Sequence, residues 1–395
     1  GAQNTAVGSA ALVANTTGTS NSAVGFGALD ANTTGGQNTS LGWNALGGNT
    51  TAAHNTAVGT ECMKVSTTGH SNVGMGSQAL IALTTGDSNV AIGYAALNNV
   101  TSADDNTALG RSALQENSTG TRNTAVGYAA SLLATGNDNT TVGFSSGSAI
   151  TSGTGNTFIG AQAGDGTDDG TGNVAVGNQA LSANCGSDNV AIGQYAGAVV
   201  TGSNNTLMGQ VAGYELQAGS NNLFLGKDSG RTGSPGGQIV NGSNEIVLGD
   251  DNIGEAHIQV DWTVASDARD KTDFTALDLG LEFVKDLQPV TYKWDKRSKY
   301  GDKYADGYDL NAQSPDGTHK EDWLDIGFKA QEVEALEIAA GYNKDNNTNL
   351  VSSHTADGKQ MGLQYSKFVP ILVKAIQEQN ALIEALTARI TTLEG

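Results

Sequence analysis

The chain has 395 residues, of which 54 are Gly, 4 are Pro and 15% are charged. A typical globular chain carries about 7% Gly and about 25% charged residues, so this composition excludes an ordinary globular core along the whole length. Forty acidic against twenty basic side chains give a net charge of −20, which disfavours nucleic acid and anionic membrane surfaces as partners, since both are negatively charged.

Composition divides the chain into two parts. Residues 1–255 hold 45 of the 54 Gly but only 5 of the 20 Lys and Arg, whereas residues 256–395 hold 9 Gly and 15 Lys and Arg. Their net charges are −12 (5 minus 17) and −8 (15 minus 23). We therefore predict two domains, 1–255 and 256–395. Neither contains an apolar run of the length that a membrane-spanning helix requires, so we expect no membrane insertion.

The first part is an internal repeat. A five-residue kernel of Asn, usually Thr or Val, any residue, an apolar residue and Gly recurs fourteen times between Asn4 and Gly226, at steps of 16 or 17 residues. A variant copy occupies 244–249 after a longer step. A second short apolar stretch such as Ala28-Leu29 and a Thr-Gly turn cluster lie between kernels.

This period predicts a β-solenoid. A repeat of 16 or 17 residues is too short for a helical pair, whereas it suits one coil of two short strands closed by turns that need Gly. We expect the apolar kernel residue and the Ala-Leu pair to point inward, and the Asn residues to form a ladder along the axis. The resulting core is thin, and packing several chains side by side would widen it. The fold class is thus mainly β.

The kernels themselves resemble a known repeat. The sequences NTAVG, NSAVG and NVAIG at 4–8, 21–25 and 89–93 resemble the head repeats of trimeric autotransporter adhesins, and equally the repeat shafts of phage tail fibres. The resemblance implies a left-handed parallel β-roll wound as a homotrimer over residues 1 to about 250.

A candidate catalytic pair opens the second part. Residues 256–265 alternate in polarity and predict a strand, and Ser266-Asp267-Ala268-Arg269-Asp270-Lys271 follows directly. A serine hydroxyl becomes a nucleophile when a nearby base takes its proton, and a lysine is such a base only in its neutral form. The spacing of five residues makes Ser266 the candidate nucleophile and Lys271 the candidate base. The alternative interpretation is that Ser266 is a solvent-exposed capping serine without a catalytic role.

Three further motifs strengthen the first interpretation. The second part contains Ser266-Asp267-X-Arg269-X-Lys271, the stretches 287–294 (LQPVTYKW) and 326–333 (IGFKAQEV), and Tyr365 before a terminal helix. With these motifs it resembles the intramolecular chaperone auto-processing domain, a self-cleaving peptidase family of phage tail fibres and tailspikes. The resemblance implies a small α+β chaperone domain over 256–395 that directs trimerisation of the fibre upstream.

The same resemblance assigns roles to residues. It implies that the chain is cut once between Ala265 and Ser266, with Ser266 as nucleophile and Lys271 as general base, while Asp267 and Arg269 support the motif. The residue before the lysine is usually apolar in that family, and here it is Asp270. An adjacent carboxylate favours the charged lysine, so a retained, uncleaved chaperone cap is the alternative outcome.

The C-terminal helix, predicted over 366–394 with Ser366 as N-cap, carries a heptad seam. Its members are spaced alternately by three and four residues: Val369, Leu372, Ile376, Gln379, Ile383, Leu386, Ile390 and Leu393. Ile and Leu at these positions favour a two-stranded coiled coil, whereas the family resemblance implies three strands.

Other side chains point to no cofactor. The five His are scattered, so we expect no metal. Aromatic residues lie on the flanks of the kernels in many coils, and they suit either packing between coils or chains, or a carbohydrate platform: Phe26, Trp43, Tyr94, Tyr128, Phe144 and Tyr195. The sequence favours a trimeric phage tail fibre of the virion that binds a host-surface receptor, a glycan or outer-membrane component, and other tail proteins. A bacterial surface adhesin of the same architecture is the alternative.

Overall fold

The structure, a computed structural model, describes residues 1–259, 262–303, 305, 307–346, 348–355 and 357–395. It divides into two compact units. Unit 1 comprises 1–231 and 239–250, and unit 2 comprises 232–238 and 251–395. None of the described helices is both long enough and apolar enough to span a bilayer.

Unit 1 is a single parallel β-solenoid, which confirms the predicted fold class. Fifteen strands of three residues each pair in sequence order, every one parallel and in register with the next. They are β1 (Thr5–Val7), β2 (Ser22–Val24), β3 (Thr39–Leu41), β4 (Thr56–Val58), β5 (Val73–Met75), β6 (Val90–Ile92), β7 (Thr107–Leu109), β8 (Thr124–Val126), β9 (Thr140–Val142), β10 (Thr157–Ile159), β11 (Val174–Val176), β12 (Val190–Ile192), β13 (Thr206–Met208), β14 (Leu223–Leu225) and β15 (Ile246–Leu248).

The predicted Asn ladder is confirmed. The backbone N–H of each kernel Asn from Asn21 onward donates to the side-chain Oδ1 of the preceding one, as between Asn38 and Asn21 at 2.9 Å. The side-chain amide of every kernel Asn except Asn173 also donates to a turn carbonyl, as Asn21 does to Gly35 at 2.8 Å. At β15 the ladder position is Glu245, whose N–H donates to Asn222, so the predicted start of the variant kernel at Asn244 is wrong by one residue.

Two details of the predicted coil are wrong. Each coil has one strand, because the Ala-Leu pair lies in a turn: Leu29 has φ 53° and donates its N–H to Ala45 O in the next coil at 3.1 Å. The apolar kernel residue points outward, since successive strand residues alternate between faces. The middle strand residue, such as Ala23, is the buried one, while Val24 is exposed. The core therefore consists of middle strand residues and turn leucines.

Unit 2 combines short helices with two small sheets. Its elements are α1 (Leu281–Asp286), β16 (Val290–Tyr292), β17 (Asp325–Gly327), α2 (Ala330–Ala339), β18 (Ser352–His354), β19 (Met361–Leu363) and α3 (Phe368–Glu394). β16 pairs with β17 and β18 with β19, both antiparallel. A small core contains Leu279, Phe283, Val333, Val351, Phe368 and Ile371.

The C-terminal helix begins later than predicted. Residues 365–367 form a 3₁₀ turn, and α3 starts at Phe368 without a side-chain cap from Ser366. Pro370 lies in the first turn, where its missing N–H costs nothing. Phe368, Ile371 and Ala375 are the buried residues of α3. All eight predicted seam residues lie on the helix and are exposed, so the seam is not packed on its own unit.

Candidate catalytic dyad and its surroundings

The structure brings Ser266 and Lys271 together. Lys271 Nζ lies 2.6 Å from Ser266 Oγ and 3.3 Å from the Ser266 carbonyl oxygen. The contact arises because residues 268–270 form a 3₁₀ turn, which reverses the chain between the two side chains. The Lys271 N–H donates to Ala268 O at 3.3 Å and closes that turn. A hydroxyl and an amine at this distance are within reach for proton transfer.

Asp267 and Arg269 hold the turn rather than the reacting atoms. The Asp267 carboxylate caps the turn by accepting the Arg269 N–H at 2.9 Å, and it pairs with the Arg269 guanidinium at 2.6 Å. The side-chain and backbone hydrogen bonds from Arg269 lower the pKa of Asp267, and the hydrogen bond from Asp267 raises the pKa of Arg269. Since its charge is neutralised locally, Arg269 contributes little field toward Lys271. Both residues are thus positioning residues of the turn.

The pair is open to solvent in the single chain. Ser266, Asp270 and Lys271 are all exposed, and four cavities of unit 2 are lined by other residues. Burial away from water is what favours a neutral lysine. The single chain therefore supplies the geometry of a Ser/Lys dyad without its desolvation.

The segment before the junction is exposed as well. The predicted strand 256–265 is not formed at 256–259 and 262–265, and residues 260–261 lie outside the described residues. Ile258, Trp262 and Val264 are exposed, so the apolar face of this segment has no cover in the described part of the chain. Ala265 is exposed too, which leaves the junction accessible on both sides.

The other motif stretches meet in one aromatic cluster. The stretch 287–294 supplies β16 and 326–333 supplies β17 and the start of α2, paired with Thr291 opposite Ile326. Phe328 packs against Tyr365 and Phe368, with ring centroids 6.3 and 5.1 Å away, and its N–H donates to Tyr365 Oη at 3.2 Å. The cluster borders a cavity of about 520 Å³ lined by Tyr292, Trp294 and Leu363 among others.

Two buried carboxylates organise unit 2, and sequence reasoning missed both. Glu337 of α2 is fully buried and accepts the backbone N–H groups of residues 350, 351 and 352 at 2.8, 2.6 and 3.0 Å. Asp251 accepts hydrogen bonds from Lys303 at 2.7 Å and from the Ser298 hydroxyl. Burial raises the pKa of Asp251, but these bonds and the nearby lysine charges outweigh it, and the net pKa is lowered. The hydrogen-bond partners of Glu337 and Asp251 are too distant in sequence for a spacing pattern to predict them.

Within the described residues, no group of three or more His, Cys, Asp or Glu is placed to hold a metal ion. A serine hydroxyl hydrogen-bonded to a lysine amine, at the start of a small α+β unit, suits acyl transfer from the preceding residue.

Residues 266–342 match the family model of the chaperone of endosialidase. The match begins at Ser266 and includes both chaperone stretches, which confirms the resemblance found from the motifs. Residues 343–395, which the motif resemblance also covered, lie beyond the match. No curated protein and no solved structure gives a match to this chain.

The chain thus joins a β-solenoid to an endosialidase-chaperone-like region. This arrangement suggests a tail-fibre- or tailspike-like protein with an intramolecular chaperone. The model that matches residues 266–342 also carries a peptidase name.

Proposed function

We propose that the chain is a homotrimeric phage tail fibre whose chaperone-like region directs assembly and then cuts its own chain between Ala265 and Ser266. The contact of 2.6 Å between Lys271 Nζ and Ser266 Oγ carries this proposal, because it places a nucleophile and a base directly after the junction, at the first residue of the family match.

The proposed reaction needs only this pair and water. Lys271 takes the hydroxyl proton while Ser266 Oγ attacks the Ala265 carbonyl carbon. The peptide C–N bond then breaks, the Ser266 nitrogen takes a proton, and Ala265 is left as an ester on Oγ. Water attacks the ester, which gives an Ala265 carboxylate and restores the Ser266 hydroxyl beside a new terminal amine. The cut is a single turnover on the chain's own bond.

Two apolar surfaces support assembly of several copies. The outward kernel residue is apolar in every strand, from Val7 to Leu248, so an apolar column runs along the solenoid. The seam residues of α3 are exposed as well. Contiguous apolar surface of this extent is typical of protein–protein contacts.

A cut after assembly would act as a lock. A stacked multi-chain solenoid unfolds over a high kinetic barrier once formed, so the chaperone is required for folding and dispensable afterwards. We propose that the mature shaft stays on the virion, binds other tail proteins at one end and contacts a host-surface glycan or outer-membrane component.

The test is the intact mass of the full chain and of Ser266→Ala and Lys271→Gln variants, with Lys320→Gln as the control, at an exposed lysine outside the motif stretches. We expect wild type and control to split at Ala265–Ser266 and both dyad variants to stay whole. Native mass spectrometry of the same samples reports the number of copies. If wild type stays intact and forms trimers, the chaperone region is retained as an uncleaved cap, which is the second candidate function. The solvent exposure of the dyad and the presence of Asp270 favour this second candidate.

A further inference from the structure

A ladder of planar side chains crosses four consecutive coils of the solenoid. Tyr94, Arg111, Tyr128 and Phe144 each follow the kernel Gly of their coil. The Arg111 guanidinium carbon lies 5.7 Å from the ring centroids of both Tyr94 and Tyr128. Tyr128 and Phe144 stack with centroids 5.4 Å apart at 10°. Since neighbouring strands are about 4.8 Å apart, the ladder extends over about 14 Å along the axis.

The ladder faces solvent. Tyr94, Tyr128 and Phe144 are 51, 46 and 56% exposed, and Arg111 is exposed too. Aromatic rings held in a fixed row lose little conformational entropy when they bind a partner, because they have few rotatable bonds. The row is therefore preorganised for a planar or ring-shaped ligand.

Arg111 differs from the other basic residues of unit 1. The other four each pair with a carboxylate: Lys64 with Glu61, Arg122 with Asp138, Lys227 with Asp228 and Arg231 with Asp228. In the described structure, by contrast, the Arg111 guanidinium contacts only the two tyrosine rings. Its N–H groups remain available for an acceptor from outside, and a carboxylate is the acceptor that a guanidinium binds best.

The ladder also differs from the apolar column on which assembly would depend. That column recurs in every strand, as an interface running along the solenoid requires. The ladder position, however, holds small or polar residues in the remaining coils outside 26–43: Ser9, Thr60, Ser77, Ala161, Asn178, Gln194, Gln210 and Lys227. Phe26 and Trp43 place aromatic rings at this position in two earlier coils, but the coils of Thr60 and Ser77 separate them from the ladder. The continuous row of four planar side chains therefore occupies one stretch of adjacent coils, which indicates a local site rather than a contact repeated along the solenoid.

We propose that the Tyr94–Arg111–Tyr128–Phe144 ladder binds a linear glycan that carries carboxylate-bearing sugars. The C–H faces of pyranose rings are apolar and pack on the aromatic faces, while Arg111 receives a sugar carboxylate. The net charge of −12 (5 minus 17) on residues 1–255 disfavours a densely charged polymer, so acidic sugars alternate with neutral ones. This inference rests on the proposed contact with a host surface and names its site and ligand class.

Native electrophoresis of the full chain in gels containing polysaccharide tests this. Hyaluronan is the alternating acidic probe, alginate the densely acidic one and dextran the neutral one. We expect hyaluronan to retard wild type most, and Arg111→Gln and Tyr128→Ala to weaken that retardation at least tenfold in apparent Kd. Arg122→Gln removes the same charge from an exposed arginine that lies outside the ladder and pairs with Asp138, and this variant should bind like wild type.

Three results would overturn the ladder proposal. The first is that hyaluronan does not retard wild type, and the second is that it retards Arg111→Gln and wild type equally. The third is that light scattering shows a changed copy number for Tyr128→Ala, which would make the ladder a contact between chains. The cleavage and copy number of wild type in the same samples report on the proposed function separately. A fibre that assembles and is cut yet ignores the gels refutes only the glycan site.

Discussion

Asn106 Oδ1 accepts the backbone N–H of Asn123 at 3.0 Å, and the Asn106 amide donates to Gly120 O at 2.9 Å. Both asparagines are fully buried, so one side chain satisfies two backbone groups that water cannot reach. Because the same pair of bonds recurs coil after coil, the kernel Asn joins neighbouring coils in addition to the strand ladder.

Asn106→Ala is expected to loosen the solenoid locally. The substitution leaves the Asn123 N–H without its acceptor, and one buried unsatisfied group costs about 1–3 kcal/mol. It also removes one of the two side-chain hydrogen bonds to the Gly120 carbonyl, which keeps the bond from the Asn117 amide at 2.9 Å. Stability in a stacked repeat is a sum over neighbours, so hydrogen-exchange mass spectrometry should show faster exchange in the coils that contain Gly120 and Asn123. Gln210→Ala, at an exposed side chain, is the control. Unchanged exchange at Gly120 and Asn123 would contradict a structural role for the ladder.

The kernel glycines are required by both backbone angle and space. Gly110 has φ +139°, and a Cβ there would lie 2.3 Å from Gly127 O in the next coil. Gly155 has φ +68° with nothing within 4 Å of the added atom. We expect Gly155→Ala to cost about 1–2 kcal/mol from backbone conformation alone, and Gly110→Ala to cost clearly more because the coils must separate. Thermal unfolding of both variants measures the difference, and equal losses would show that space is not limiting.

The sequence predicted what repeats and missed what depends on backbone angles. The Asn and Gly positions gave the coil, the ladder and the fold class, because each is a local requirement that recurs at one period. The prediction of a second strand in each coil was wrong because Leu29 adopts φ 53°, a backbone conformation that sequence propensities do not assign to Leu. The predicted inward orientation of the Val24 side chain was wrong because both faces of this three-residue strand are apolar enough to form the core.

The same contrast holds at the candidate site. Ser266 and Lys271 are close in sequence and were identified from spacing together with family motifs. Glu337 reaches backbone groups at 350–352, and Asp251 meets Lys303. Contacts of that kind are set by tertiary folding, and no pattern within either segment encodes them.

Asp251→Asn should destabilise unit 2 at neutral pH. Removing one partner of a buried ion pair costs about 3–5 kcal/mol. Because the folded pKa of Asp251 is lowered, its stabilisation is present above the unfolded value of about 3.9 and is lost as pH falls through the folded pKa. Circular dichroism at the helical band reports on unit 2, which contains all described helices.

We therefore expect Asp251→Asn to melt well below wild type at neutral pH, and the gap to narrow under acid conditions that protonate the carboxylate in both states. Asp322→Asn, at an exposed carboxylate, should match wild type throughout. If the difference in melting temperature between Asp251→Asn and wild type stays constant across the pH range, the destabilisation comes from altered packing rather than from the lost charge.

Asp270 should slow the proposed self-cleavage. Its carboxylate adjoins Lys271 in the chain, and a neighbouring negative charge opposes formation of the neutral amine that the proposed reaction requires. We expect Asp270→Leu and Asp270→Asn to speed the cut by roughly threefold, given the weak interaction of charges in water. The rate of wild type should also rise with pH. The appearance of the fragment beginning at Ser266, followed by mass spectrometry after refolding, measures these rates. Faster cleavage in Leu but not Asn would point to packing instead of charge.

The exposed seam of α3 is expected to hold the copies together during folding. Ile383 lies in the middle of that seam and is exposed, and a carboxylate there would face its counterparts in a coiled coil. Ile383→Asp should therefore reduce the fraction of assembled protein at least tenfold in light scattering and, with it, the extent of cleavage. Ala388→Asp introduces the same charge on the outer face of α3 and should leave both unchanged. If Ile383→Asp still assembles and is cut like wild type, the apolar column of the solenoid suffices for assembly and the seam has another role.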